Sequence, residues 1–260
     1  MGTVGSNPTP SATSLESGGP HVTPGSERGN RRTRGTWAAV LLAVAVAVAV
    51  AGVAAPALAA TKPTKVDLAI QRQTVLRKSD LPAGWTSSPN QPPADLPELA
   101  ACAGLQAAND ALDPIATNSP DFSKSDLTRA SNAVVVLANA KQAKGWLAPY
   151  REPDAATCLQ EVVKKAFTRD GIQGARVYVA PIDDTPRGAD DAVGFEVEIT
   201  ATSTPTAQQP AQTIVVVYDV MVARVGRALT NFTFMNPTDP LPEQGELVDA
   251  VIGRLQDADV

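Results

Sequence analysis

Val193-Gly194-Phe195-Glu196-Val197-Glu198-Ile199-Thr200-Ala201 sets apolar side chains at every second position and places Glu196, Glu198 and Thr200 between them. That period of two predicts a β-strand with one face buried and the other wet. Upstream, Val177 and Val179 begin the same pattern. Downstream, Ile214 to Arg224 and Arg227 to Met235 are two β-rich runs separated by Val225-Gly226, a tight connection that predicts a hairpin. On the second arm Ala228, Thr230, Phe232 and Phe234 share a face. Pro237, Pro240 and Pro242 end the sheet, and Leu247, Val248, Val251, Ile252 and Leu255 follow helical spacing in a closing amphipathic helix.

Before residue 175 the period is mostly helical. Val66 to Lys78 reads as a helix that ends ahead of Leu81-Pro82-Ala83-Gly84-Trp85. Pro89, Pro92, Pro93 and Pro97 make a stiff connection into a short helix over Glu98 to Asp110, and a polar loop follows. Ser131 to Ala138 contains the aliphatic run Val134 to Leu137, too short for most helices and rich in β-branched residues, as a buried strand requires. Ala140 to Ala148 reads as a short helix stopped by Pro149, and Asp154 caps another with Ala155, Cys158, Leu159, Val162, Val163 and Ala166 along one stripe. The expected fold is α+β, a mainly antiparallel sheet of about five strands with helices packed on one face.

The remaining 60 residues divide in two. Residues 1–36 hold 22 Gly, Pro, Ser or Thr, too few apolar groups to offset the entropy of ordering, so a disordered tail is expected there. Residues 37–60 carry no charge and consist mostly of Ala and Val. As helix they reach about 36 Å, against a hydrocarbon core of about 30 Å. Arg28, Arg31, Arg32 and Arg34 precede this segment, which keeps the N-terminal side in the cytoplasm and sends residues 61–260 outside. Ala57-Leu58-Ala59 is a small-x-small site of the kind signal peptidase cuts, so a membrane anchor and secretion after cleavage near Ala59 both stand. Arg31-Arg32 lacks the apolar residues that a twin-arginine signal places next, and the segment ends in no Cys for lipidation.

The formal net charge of −5 conceals a basic tail, whose four Arg face two Glu, and a correspondingly more acidic domain. The domain has no run of Lys and Arg to release counterions from a phosphate backbone, so nucleic acid is a poor partner. Its two cysteines, Cys102 and Cys158, form an even pair in an exported domain and are expected to be disulfide-bonded. A redox-active pair and two buried thiols are the competing readings; Cys-x-x-Cys spacing is absent.

Candidate chemistry is sparse. His21, the one histidine, sits in the tail, and no Gly-x-Ser-x-Gly, Ser-x-x-Lys or His-Glu-x-x-His occurs, so a serine or cysteine nucleophile in the domain lacks its usual base. No enzyme activity, cofactor or metal is expected. Asp183, Asp184, Asp190 and Asp191 offer oxygen ligands to Ca²⁺, but without EF-hand spacing and with Arg187 among them they read more plainly as a solvated acidic loop. Glu196 and Glu198 resemble a glycosidase pair only in composition; on a wet strand face they read as solubilising residues. Trp85, Trp146 and Tyr150, beside turn-forming Pro and Gly residues, are the aromatic candidates for ligand contact near a surface cleft, with a core role as the plainer reading.

Asp80-Leu81-Pro82-Ala83-Gly84-Trp85, Cys102, Ser119-Pro120-Asp121-Phe122, Cys158 within a helix, a long hairpin and a terminal helix occur in that order. Over about residues 66 to 256 this pattern resembles the actinobacterial exported sensor-like domains, among them the extracellular domain of PknH-type serine/threonine kinases. The kinase itself is absent, since no glycine-rich loop, His-Arg-Asp or Asp-Phe-Gly is found. The resemblance implies a cell-envelope binding or sensing module whose ligand is a lipid, glycan or protein. The alternative is a structural or assembly partner of an envelope membrane complex, acting through an exposed sheet face.

Overall fold

A computed structural model describes residues 62–90, 102, 115–169, 172, 174–182, 184–202 and 211–260. The expected tail, the segment 37–60 and the helix over Glu98 to Asp110, Cys102 apart, lie outside the described residues. Among the described residues no helix is long and apolar enough to cross a membrane.

Helix α1 (Lys65–Thr74) starts in a reciprocal cap: the Asp67 amide donates to Thr64 Oγ1 at 3.1 Å, and the Thr64 amide donates to Asp67 Oδ2 at 2.8 Å. It stops before the expected Lys78 because the chain turns extended at Val75, and the Leu76 amide donates to Asn132 Oδ1 at 2.8 Å. A tertiary hydrogen bond outcompetes another helical turn. The strands follow as β1 (Thr86–Ser88), β2 (Thr117–Asn118), β3 (Asp121–Ser125) and β4 (Thr128–Val136). Helix α2 (Ala140–Gly145), a 3₁₀ turn over Ala148–Arg151 and helix α3 (Ala155–Arg169) then lead to β5 (Arg176–Ile182), β6 (Asp191–Thr202), β7 (Thr213–Val225), β8 (Ala228–Pro237) and α4 (Gln244–Asp257).

All eight strands form one sheet in the order β1-β3-β4-β8-β7-β6-β5, with β2 paired to β4, and every described pairing is antiparallel. The α+β class stands, but the count of about five strands is corrected to eight. The three extra strands are short and mostly polar, Thr86-Ser87-Ser88, Thr117-Asn118 and Asp121 to Ser125, and owe their form to pairing, β2 and β3 against β4 and β1 against β3, rather than to apolar alternation.

Placement of helices on one face is also corrected. Along β7, Val216, Tyr218, Val220 and Val222 join a core with α2 and α3, while Met221, Ala223 and Val225 join a second core with α4 and the segment after α1. Successive side chains on a strand point to opposite faces, so the sheet is covered on both sides. That is why Ile214 to Arg224 reads as a nearly continuous apolar run: a strand buried on both faces does not alternate. The β7–β8 turn passes through Gly226 at φ +53°, a left-handed position that glycine occupies without strain.

Candidate functional site

Trp85 and Tyr150 lie in the core, 4% and 7% exposed, rather than at a surface cleft. They do not share a site: Trp85 belongs to the α4 side of the sheet, whereas Tyr150 and the half-buried Trp146 pack on the α3 side. Tyr150 lies 6.4 Å from the Phe195 ring. The indole nitrogens of Trp85 and Trp146 are buried without a hydrogen-bond partner among the described residues. Cys102 and Cys158 are bonded, with Cα atoms 6.0 Å apart; Cys102 is buried and Cys158, on α3, is half-buried.

The acidic loop is structural where it is described. Asp190 Oδ2 accepts from Arg224 Nη1 at 2.9 Å and from the Gly226 amide at 2.7 Å, and Asp191 pairs with Arg151. Asp183 lies outside the described residues. Among those residues no group of three or more His, Cys, Asp or Glu is placed to hold a metal ion.

A different set of acids stands out once the register is drawn. One row crosses the sheet as Ser87, Phe122, Ala130, Phe234, Asp219, Glu196 and Ala180. Its first half is apolar: Phe122, Ala130 and Phe234 are buried in the core beneath α4. Its second half turns acidic at Asp219. In the next row on the same face, Val217 is followed by Glu198 and then Tyr178. Glu196 is half-buried, Glu198 is exposed and Tyr178 is 61% exposed, so the part of this face over β5 and β6 is left open.

Asp219 forms the floor of that open part. Only 4% of its surface is exposed, and its Oδ1 is fully buried without a hydrogen-bond partner among the described residues. Burial pushes its carboxyl up to about 6, the neighbouring Glu196 carboxylate adds to the rise, and a side-chain hydrogen bond with Gln244 opposes it. Gln244 opens α4, whose N-terminal end favours negative charge nearby, yet its own Oε1 is a second buried acceptor with no donor.

Buried Asp67 and half-buried Asp80 are treated differently. Asp67 receives Arg227 Nη2 at 2.7 Å, and Asp80 receives both terminal nitrogens of Arg254. Among the described residues no arginine or lysine compensates Asp219. Sequence reasoning passed over Asp219 although a signal was present: it is the one charged residue within Ile214 to Ala223, where a carboxylate on a two-sided buried strand needs a reason.

No family model matches the chain, and no curated protein is significantly similar to it.

Proposed function

We propose that residues 61–260 form a non-enzymatic binding or sensor-like domain of the cell envelope, tethered to the membrane through residues 37–60, with the open acidic part of the sheet as its contact surface. The observation that carries this reading is the row Asp219–Glu196 with Tyr178 and Glu198 beside it. A buried acceptor without a partner lies there on the same sheet face as an exposed aromatic ring, with the two glutamates of β6 between them. Unpaired buried polar atoms cost about 1–3 kcal/mol each, a cost that a contacting partner relieves. The resemblance to the exported sensor-like domains supports the same reading, as does a bonded cysteine pair, which suits an oxidising compartment.

Native mass spectrometry of the purified full chain tests it. A companion mass, small molecule or polypeptide, is expected on the parent chain and should be lost in Tyr178→Ala, which removes an exposed ring and leaves the core intact. A chain without a companion, or a companion indifferent to Tyr178→Ala, overturns the assignment of this face. The N-terminal mass of the same sample decides between a retained anchor and cleavage near Ala59.

Acting as a structural or assembly partner of a membrane complex is the second reading, favoured by β5 being the edge strand of the sheet. An edge strand leaves one line of backbone donors and acceptors for another chain to use. A stoichiometric polypeptide companion, rather than a small molecule, would select it.

A further inference from the structure

Resting on the contact surface proposed above, we infer that the occupant of the open acidic face is a lysine side chain of a partner polypeptide, its ammonium group seated between Asp219 and Gln244. Three observations converge on a donor-only, positively charged group. First, Asp219 Oδ1 and Gln244 Oε1 are both acceptors, both buried and both without a donor. An ammonium carries three donors and no acceptor, and so satisfies the two together. Second, Glu196 lies directly across the strand pair from Asp219, and Glu198 follows it on the same face. Neither carboxylate has a hydrogen bond or ion pair with any described residue, in contrast to Asp67, Asp80, Asp190 and Asp191, each held by an arginine. Arg176, exposed on the same face across from Thr200, makes no described ion pair with either, so both carboxylates are left for a cation from outside.

Third, Tyr178 stands directly across from Glu198 at the sheet edge. An exposed ring beside carboxylates binds the methylene stem of a lysine with its face and attracts the charge through its quadrupole. A slender stem is needed because Asp219 is deep while Tyr178 and Glu198 are shallow. The bulk of the partner stays outside, where the edge strand leaves room. The acids are not grouped to hold a metal ion among the described residues, which favours an organic cation over an inorganic one.

The test is isothermal titration of the purified full chain with acetyl-Lys-Gly-Lys-Gly-Lys-amide at low salt, with the Gln-for-Lys peptide and spermidine as separate arms. Binding of the lysine peptide is expected, with at least tenfold weaker binding to Asp219→Asn and to Glu196→Gln. Glu161→Gln, on the exposed side of α3, should leave affinity within twofold. Four results overturn the inference: no binding of the lysine peptide, equal binding of the glutamine peptide, binding of spermidine alone, or equal loss in Glu161→Gln. If the lysine peptide fails while the companion mass still depends on Tyr178, the face stands and its lysine occupant falls. If the companion is absent as well, both fall.

Discussion

Arg254 of α4 grips Asp80 with both terminal nitrogens, Nη1 to Oδ1 and Nη2 to Oδ2 at 2.9 Å each. The same Nη2 donates to the carbonyls of Thr74 at 3.3 Å and Val75 at 3.1 Å. One guanidinium thus ties the last helix to Asp80, 174 residues away, and to the end of the first helix, 180 residues away, with the Arg254 and Asp80 side chains only 22% and 10% exposed. Arg254→Met leaves a carboxylate and two carbonyls short of donors, and should lower stability by about 3 kcal/mol in urea unfolding. Burial alone would raise the Asp80 carboxyl, but hydrogen bonds from Arg254 and the Arg77 amide, with the charges of Arg254 and Arg77, hold it below its ordinary 3.8. The stabilisation is therefore present above pH 3.8 and lost as pH falls through the lower native value. Arg254→Met should flatten that acid limb; an unchanged limb would show that Asp80 titrates without the pair.

Asp219 has the opposite sign. Its native carboxyl is raised to about 6 from 3.8, so between those values the folded chain holds a proton that the unfolded chain releases. Stability conferred by this group is greatest below pH 3.8 and falls as pH rises through 6. Asp219→Asn removes the buried charge and offers an amide donor to the stranded Gln244 Oε1. The variant should be more stable than the parent at pH 7 by on the order of 1–3 kcal/mol, the gain shrinking as pH drops below 6. Parallel stability curves for parent and variant from pH 4 to 7 would refute it. Gaining stability while losing the lysine peptide would mark Asp219 as a residue kept for binding at a cost in folding.

The bond between Cys102 and Cys158 spans 56 residues of chain. In the chain-entropy account, closing such a loop stabilises the fold by about 4 kcal/mol, chiefly by restricting the unfolded state. Changing both cysteines to serine should therefore lower the melting temperature substantially, and reductant should do the same to the parent and nothing to the variant. A parent insensitive to reductant, unfolded or folded, would show the bond to be absent in the isolated chain.

What the sequence made legible follows from where side chains and backbone decide structure. β5, β6 and α4 each keep one wet face, so their periods of two or 3.6 are written in the residues. β7 is buried on both faces and loses its alternation, which hid the second layer of helices. Thr86-Ser87-Ser88 carries no strand signal of its own; its pairing with Ser123, Phe122 and Asp121 is a tertiary fact. The site was hidden for a similar reason. Glu196 and Glu198 were visible as acids on a wet face, but only the β6–β7 register shows that Asp219 lies beside Glu196.

Gly194 shows how tightly the strand beneath that site is built. It pairs with Met221 in the β6–β7 ladder, and a Cβ placed on it would stand 2.7 Å from the Val220 carbonyl oxygen and 3.2 Å from Met221 Cα and Cβ. Replacing glycine by alanine in a compatible conformation usually adds about 0.4–1 kcal/mol through the unfolded chain. Here the obstacle is the backbone of β7, a strand buried on both faces, which has no cheap direction in which to move. Overpacking of this kind costs about 1–3 kcal/mol, so Gly194→Ala should be destabilising despite its smaller unfolded entropy. Because Val220 follows Asp219 directly, relief of the clash moves the carboxylate, and affinity for the lysine peptide should fall with stability. Urea unfolding and peptide titration of the same variant separate the two effects. A variant as stable as the parent, with unchanged affinity, would mean that β6 and β7 yield at this point and that the site is not held by their spacing.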